Sequence, residues 1–272
     1  MEKLFFLGGI CRSGATVLGS IMNQNPDVHV NVTSPLVELC IKIEESILLL
    51  EKQYTFEARA LFDNLMKEMH KIYFKDINKR YIIDNGRSWP GNVAEIKKHI
   101  DPNPKLICTY RSIPEVVTSF IAMDMLDQDN AMRFILNDAK KVINTKNLAE
   151  VAWDIMSRAT WESLRKGLQL HPENILLVKY DDLVSDPGKQ IDRIYEFLEI
   201  PKFDHQFENI VNTLEDPKDY SWGFRTLHKI REKGVSKASL DPREVLGDDL
   251  YEHYLKYDKL LFEGIDANRL RR

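Results

Sequence analysis

Long apolar runs, glycine/serine-rich linkers, internal repeats and low-complexity segments are all missing from this 272-residue chain. No stretch approaches the ~20 apolar residues that cross a bilayer, so no membrane span is expected. A basic excess is missing too. Lysine and arginine number 38 against 42 aspartates and glutamates, a net charge of -4, so nucleic acid is not an expected partner and any anion site must be built locally. Cysteine is scarce: Cys11, Cys40 and Cys108 are odd in number and scattered, which argues against a disulfide framework and for a reducing compartment. The seven histidines show no metal-ligand spacing with the cysteines or with each other, so no metal is expected. The single lysine before "LFFLGGI" heads a run too short for a secretory signal, with no plausible cleavage site after it. A cytoplasmic location is the expectation. The charged stretch from Lys140 to Lys146 reads as a solvated helix face and turn.

With 43% hydrophobic and 29% charged residues, the chain can bury a large core. Short apolar runs alternate with long amphipathic ones, the pattern of a parallel sheet flanked by helices. The expected strands are "KLFFLG", "DVHVNV", "RYIIDN", "KLICTY" and "NILLVKY". Between the second and third, residues 34–74 read as helix, with Leu36, Leu39, Ile43, Ile47 and Leu50 spaced for one face. Ser34-Pro35 supplies its N-cap and first-turn proline. Further helices are expected over Ile113–Met125, Asn147–Leu170 and Pro187–Leu198. With no linker, one α/β domain over 1–272 is the simplest account. The weaker periodicity after Phe203 suggests a C-terminal lid or tail over about 204–272.

The stretch "LGGICRSGATVLG", Leu7 to Gly19, carries the first chemistry. A strand ending in Gly8-Gly9 and returning as a helix near Thr16 aims several backbone N–H groups at one point, with the positive end of the helix dipole behind them. The Gly9-to-Gly14 spacing matches the GxxxxGK[ST] phosphate loop, but Ala15 stands where the lysine belongs and Thr16 where the hydroxyl belongs. Without that lysine the charge of a transferring terminal phosphate is poorly balanced. Arg12 is the cation inside the loop, and its planar fork can bind two oxygens of a phosphate or sulfate. A glycine-rich turn that binds nothing is the plain alternative. Cys11 reads as a small buried residue or a low-pKa nucleophile; tyrosine-phosphatase chemistry is discounted because Val17 occupies the place of its arginine.

A second strand-to-helix turn, "KLICTYRSIPEVVTSF", has a capping-box pattern in Ser112 and Glu115 with Pro114 in the first turn. Arg111 then stands at the carboxyl end of a strand, where open α/β sheets bind ligands. Ser119, seven residues past the cap, projects from the same side of the helix. An arginine and a hydroxyl so held could grip a second phosphate; a solvated arginine and a surface serine are the alternative.

The lysine-less loop "CRSGAT", the Arg-x7-Ser element "RSIPEVVTS" and the later "LLVKYDDLVSDPGKQIDRIYEFLEIP", in that order, resemble the sulfotransferases that use 3′-phosphoadenosine 5′-phosphosulfate (PAPS). The loop's arginine form and "NPDVHV" are most similar to the tyrosylprotein sulfotransferases and related bacterial and phage enzymes. The resemblance implies a three-layer α/β/α fold of the P-loop NTPase-like type with a central parallel sheet of about five strands. It implies PAPS as donor, no metal, and in-line attack of an acceptor hydroxyl or amine on the sulfur with release of adenosine 3′,5′-bisphosphate. It places Arg12, Ser13, Gly14, Ala15, Thr16 and Val17 around the 5′-phosphosulfate, Arg111 and Ser119 on the 3′-phosphate, and Arg158 and Tyr180 near the nucleotide. Helices such as those of 34–74 would line the acceptor side.

The general base is where the sequence departs from the tyrosylprotein pattern, because the expected glutamates fall on Val32 and Thr33. His29, whose residue type titrates near neutrality, Glu38 and Asp84 are the candidates; a buried strand histidine is the other reading of His29. Arg87, in "IIDNGRSWPGN", would steady the transferring group in place of the family's lysine, with Asp84 either orienting it or acting as base; a salt-bridged turn with Trp89 packed beneath it is the alternative. The tail "WGFRTLHKIREKG" adds His228, Arg231 and Lys233 as phosphate or leaving-group contacts; a solvated basic segment is the alternative. The acceptor stays open between protein tyrosine, carbohydrate, lipid and small metabolite. An atypical P-loop kinase, or a non-catalytic nucleotide-binding protein of the same fold, are the competing readings.

Overall fold

A computed structural model describes residues 2–50, 56–214, 223–224, 227–230, 240–266 and 269–270. Five short apolar runs form strands: β1 (Lys3–Gly9), β2 (Val28–Val30), β3 (Tyr81–Asn85), β4 (Leu106–Tyr110) and β5 (Ile175–Lys179). All pair in parallel, in the order β2-β3-β1-β4-β5. Every run named in the sequence is therefore a strand. Their continuous hydrophobicity has a simple cause, since both faces of the sheet are covered. Phe6, Ile82, Leu106 and Cys108 enter one core cluster, while Phe5, Leu7, Ile83 and Ile107 enter the opposite one.

On the first face lie α2 (Leu36–Leu50), α3 (Phe56–Tyr73), α4 (Val93–His99), α5 (Ile113–Leu126), α6 (Ala131–Asp138), α7 (Thr145–Asp154), α8 (Arg158–Leu170) and α11 (Pro242–Phe262). On the second lie α1 (Ala15–Met22), α9 (Tyr180–Ser185) and α10 (Pro187–Leu198). The three-layer α/β/α expectation holds. Chain order reverses across β1, so the topological switch point, where such sheets bind ligands, falls at the carboxyl ends of β1 and β4.

The helical stretch expected over 34–74 contains α2 and α3, and Ser34 caps the first, its Oγ accepting from Leu36 N at 3.1 Å. Three local expectations change. The single helix expected over Asn147–Leu170 breaks between α7 and α8. There the buried Ser157 hydroxyl donates to Ala152 O at 2.6 Å, and Ile155 N and Met156 N both turn back to Val151 O. Helix α6 has no counterpart in the periodicity reading; its signal was Asn130, whose side chain accepts from Met132 N and Arg133 N. The Ser112/Glu115 capping box does not form. Asp258 of α11 instead accepts from Ser112 Oγ at 2.6 Å and Ile113 N at 2.8 Å, which releases Glu115 to pair with Arg111 at 3.3 Å. Within the region after Phe203, helix α11 packs on α5 and caps it.

Candidate functional site

Register fixes the floor of the site. Gly9 pairs with Thr109, so the loops leaving β1 and β4 start side by side. Gly9 has φ 110°, and a Cβ there would lie 2.0 Å from Thr109 O; only glycine fits this crossing. Ser13 Oγ donates to Ile10 O and stands 2.6 Å from Thr109 Oγ1, tying the loop to β4. Arg12 (φ 59°) and Gly14 (φ 94°) are both left-handed. For Arg12 that conformation costs roughly 1 kcal/mol and turns the loop into a cup. Gly14 is the N-cap of α1 with no side-chain cap. Leu18 N donates to Gly14 O at 3.0 Å, so the amides of the preceding turn have no helical acceptor.

Those amides open on a cavity of about 330 Å³ lined by Gly14, Ala15, Thr16 and Val17 from the loop and α1. Three arginines converge on it: Arg12, Arg87 and Arg111. Arg12 Nε donates to Ser119 Oγ at 3.2 Å and its Nη1 to Leu227 O. Arg87 Nη1 donates to Ile10 O at 2.9 Å. Among the described residues neither faces a carboxylate, and only Arg111 has one, in Glu115. Burial holds the Arg12 guanidinium down to about 10, with repulsion from Arg111 and Arg87 adding to the shift against a partly offsetting Cys11. Burial likewise lowers Arg87. Concentrated positive charge in a desolvated pocket is a site that an anion would relieve.

Arg111, only 6% exposed, lies with its guanidinium carbon 4.2 Å from the centre of the Tyr180 ring, while Nη1 reaches Arg12 O at 3.4 Å. Tyr180 in turn covers Gly14, where a Cβ would meet its ring at 3.0 Å. One tyrosine therefore joins the β1–α1 loop to Arg111. Ser119 and His228 also line the cavity. Phe224 and residues 227–230 line the cavity as well: Phe224 packs on Phe120, and Asn212 Nδ2 donates to His228 O at 2.8 Å.

Several residues expected at the site stand elsewhere. The Ser13 side chain is buried and does not line the cavity, which leaves only its backbone N–H, the group expected to serve there. His29 sits within β2 against the edge of Phe74. Glu38 accepts from Ser88 Oγ at 3.3 Å and does not line the cavity. Asp84 is 0% exposed and faces His70 and Asn31, not Arg87. Arg158 is 44% exposed and pairs with Asp154, one turn back on its own surface. Arg231 and Lys233 lie outside the described residues. Conversely, Thr33, Asn85, Met156, Thr160 and Lys229 line the cavity without having been singled out. Met156 and Thr160 arrive through the α7–α8 break, where Thr160 Oγ1 accepts from Cys11 N at 3.2 Å and Cys11 Sγ meets Ser157 Oγ at 3.3 Å. Nothing in local periodicity announces such a contact.

The description "Sulfotransferase family" matches residues 5–205. The fold is similar to that of a sulfotransferase from Alicyclobacillus acidocaldarius, at TM-score 0.52 and 13% identity, with 100% of each chain covered. It is also similar to mouse sulfotransferase SULT7A1 complexed with PAP, at TM-score 0.52 and 16% identity, covering 99% of this chain and 88% of that one. Comparison with the curated proteins finds no match.

Proposed function

Since the chain belongs to the sulfotransferase family, we propose that it transfers the sulfonate of PAPS to a hydroxyl or amine of its acceptor, leaving adenosine 3′,5′-bisphosphate. The observation that carries this reading is the cluster of Arg12, Arg87 and Arg111 around the exposed amides of α1, with one carboxylate among them. A donor with a 3′-phosphate and a 5′-phosphosulfate supplies the missing negative charge at two separate points. Arg111 and Ser119 take the 3′-phosphate, and Tyr180, stacked on Arg111, borders the adenosine. The amides of Gly14 to Val17 take the 5′-phosphate. Arg12 serves the bridging oxygen that becomes the leaving group, Arg87 the sulfonyl oxygens, and Lys229 and His228 the roof.

Transfer of this kind asks the protein for alignment and charge stabilisation, with no covalent intermediate. Arg12 suits the task because its fork can follow charge onto the leaving oxygen. Proton removal from the acceptor falls to His228, the imidazole on the described wall, since His29, Glu38 and Asp84 do not line it. We assign the acceptor side to the wall of Thr33, Asn85 and Arg87 beneath α2 and α3.

Two measurements test this. Adenosine 3′,5′-bisphosphate at 100 times its Kd should stabilise the fold by about 2.7 kcal/mol, a rise in Tm of roughly 5 °C, with ATP giving less; a preference for ATP contradicts the reading. In calorimetry, Arg111→Ala should weaken bisphosphate binding at least about tenfold through loss of the phosphate contact, whereas Arg158→Ala should leave it within about twofold, as expected of an exposed ion pair off the site. Equal losses in the two variants would return Arg158 to the nucleotide.

A further inference from the structure

Resting on the sulfotransferase reading, we propose that Asp84, held by His70 and acting through Asn31, positions the acceptor-side wall of the cavity. A carboxylate with no exposure at the end of a central strand is costly to keep unless it is partnered for a purpose. Asp84 pairs in register with Phe6, in surroundings that are otherwise aromatic and aliphatic. Its Oδ2 lies 3.3 Å from His70 Nε2, a close polar contact without the alignment of a hydrogen bond. Its Oδ1 accepts from Asn31 Nδ2 at 3.4 Å. The His70 ring is itself set, 5.5 Å from Trp89 and edge-on to Phe6 at 6.0 Å.

From Asn31 the contacts run to the wall. Asn31 Oδ1 accepts from Asn85 N at 2.8 Å, Asn85 Nδ2 donates to Val32 O at 2.6 Å, and Asn85 O accepts from Ser34 N at 2.8 Å. Asn85 is thus bonded through its amide, side chain and carbonyl to one segment, 31–34. Val32, Thr33 and Asn85 line the cavity, while Asp84, His70 and Asn31 do not. The latter three are therefore positioning residues. Tyr73, one turn after His70 on α3, lies beside Asn31, so one helix addresses both Asp84 and Asn31. The geometry connects the helical layer over the acceptor side to the atoms that face Arg12 and Arg87.

The test compares Asp84→Asn, Asn31→Ala and the double variant. Each single change should lower kcat about tenfold through misalignment of the reacting groups, with donor KM within about twofold of wild type. The double variant should fall no further than the worse single, because both act on one relay. Amide exchange, read without any acceptor, should quicken at Asn85 and Ser34 and stay unchanged at Thr16 and Val17 in both variants. Unchanged kcat, kcat and donor KM failing together, multiplicative losses, or unaltered exchange at Asn85 and Ser34 each overturn the positioning role. Should Asp84→Asn fail to fold, Asn31→Ala carries the kinetic and exchange tests alone. A wild-type protein that binds the bisphosphate but transfers to no acceptor overturns the sulfotransferase reading instead, and the exchange result then still decides the relay.

Discussion

Replacing Arg12 by alanine is expected to lower kcat about 10³-fold, the scale of removing a charged donor aimed at developing negative charge. Bisphosphate affinity should fall less than about tenfold, because the proposed reading gives the phosphates to the loop amides and Arg111. The split follows from Arg12's position. It is the loop residue whose fork lies between Ser119 and Leu227 O, apart from the amides that the proposal assigns to the 5′-phosphate. A contact that strengthens only as the bridging bond breaks lowers the barrier without tightening ground-state binding. Arg12→Lys, which keeps the charge but loses the planar fork, should recover part of the rate. Steady-state kinetics with calorimetry on the same variants decides the matter. Parallel loss of kcat and bisphosphate affinity would make Arg12 a simple anchor.

Gly9→Ala should be the most damaging single-atom-scale change to the fold. The new Cβ would sit 2.0 Å from Thr109 O and 2.7 Å from Thr109 N, both backbone atoms of the neighbouring strand, and the backbone already has φ 110°. Neither strand can retreat without parting β1 from β4 at the site. The expected loss exceeds about 4 kcal/mol, a large share of the 5–15 kcal/mol typical of whole domains. Gly264→Ala is the control. It has φ 78°, yet nothing lies within 4 Å of its Cβ position, so it should cost only about 1 kcal/mol of backbone preference. Denaturant midpoints measure both. Similar midpoints would show that the β1–β4 crossing can relax.

The legible parts of the chain were those whose chemistry is local. The five strands could be read because a two-sided buried strand must be a short apolar run, and the α1 cup because Gly9 and Gly14 are required where φ is positive. Arg111 could be placed because it ends such a run just before a proline-marked helix. The α7–α8 break was not legible, because the residues on both sides of it keep helical periodicity and the interruption is made by Ser157 turning back to Ala152. Nor was the failed capping box, since Asp258, the group that replaces it, lies 146 residues from Ser112.

By itself the sequence determined the layer architecture, the anion cup and its attendant arginine at β4, because apolar period, glycine placement and helix starts are dictated by neighbours in the chain. Only the tertiary structure decided which side chains share the cavity. Asp84 turned inward to His70, Arg158 outward to Asp154, and Thr160 and Leu227 came to the loop across separations of 149 and 215 residues. Burial and pairing are settled by packing between distant segments, and a carboxylate or guanidinium takes whichever partner that packing brings within reach.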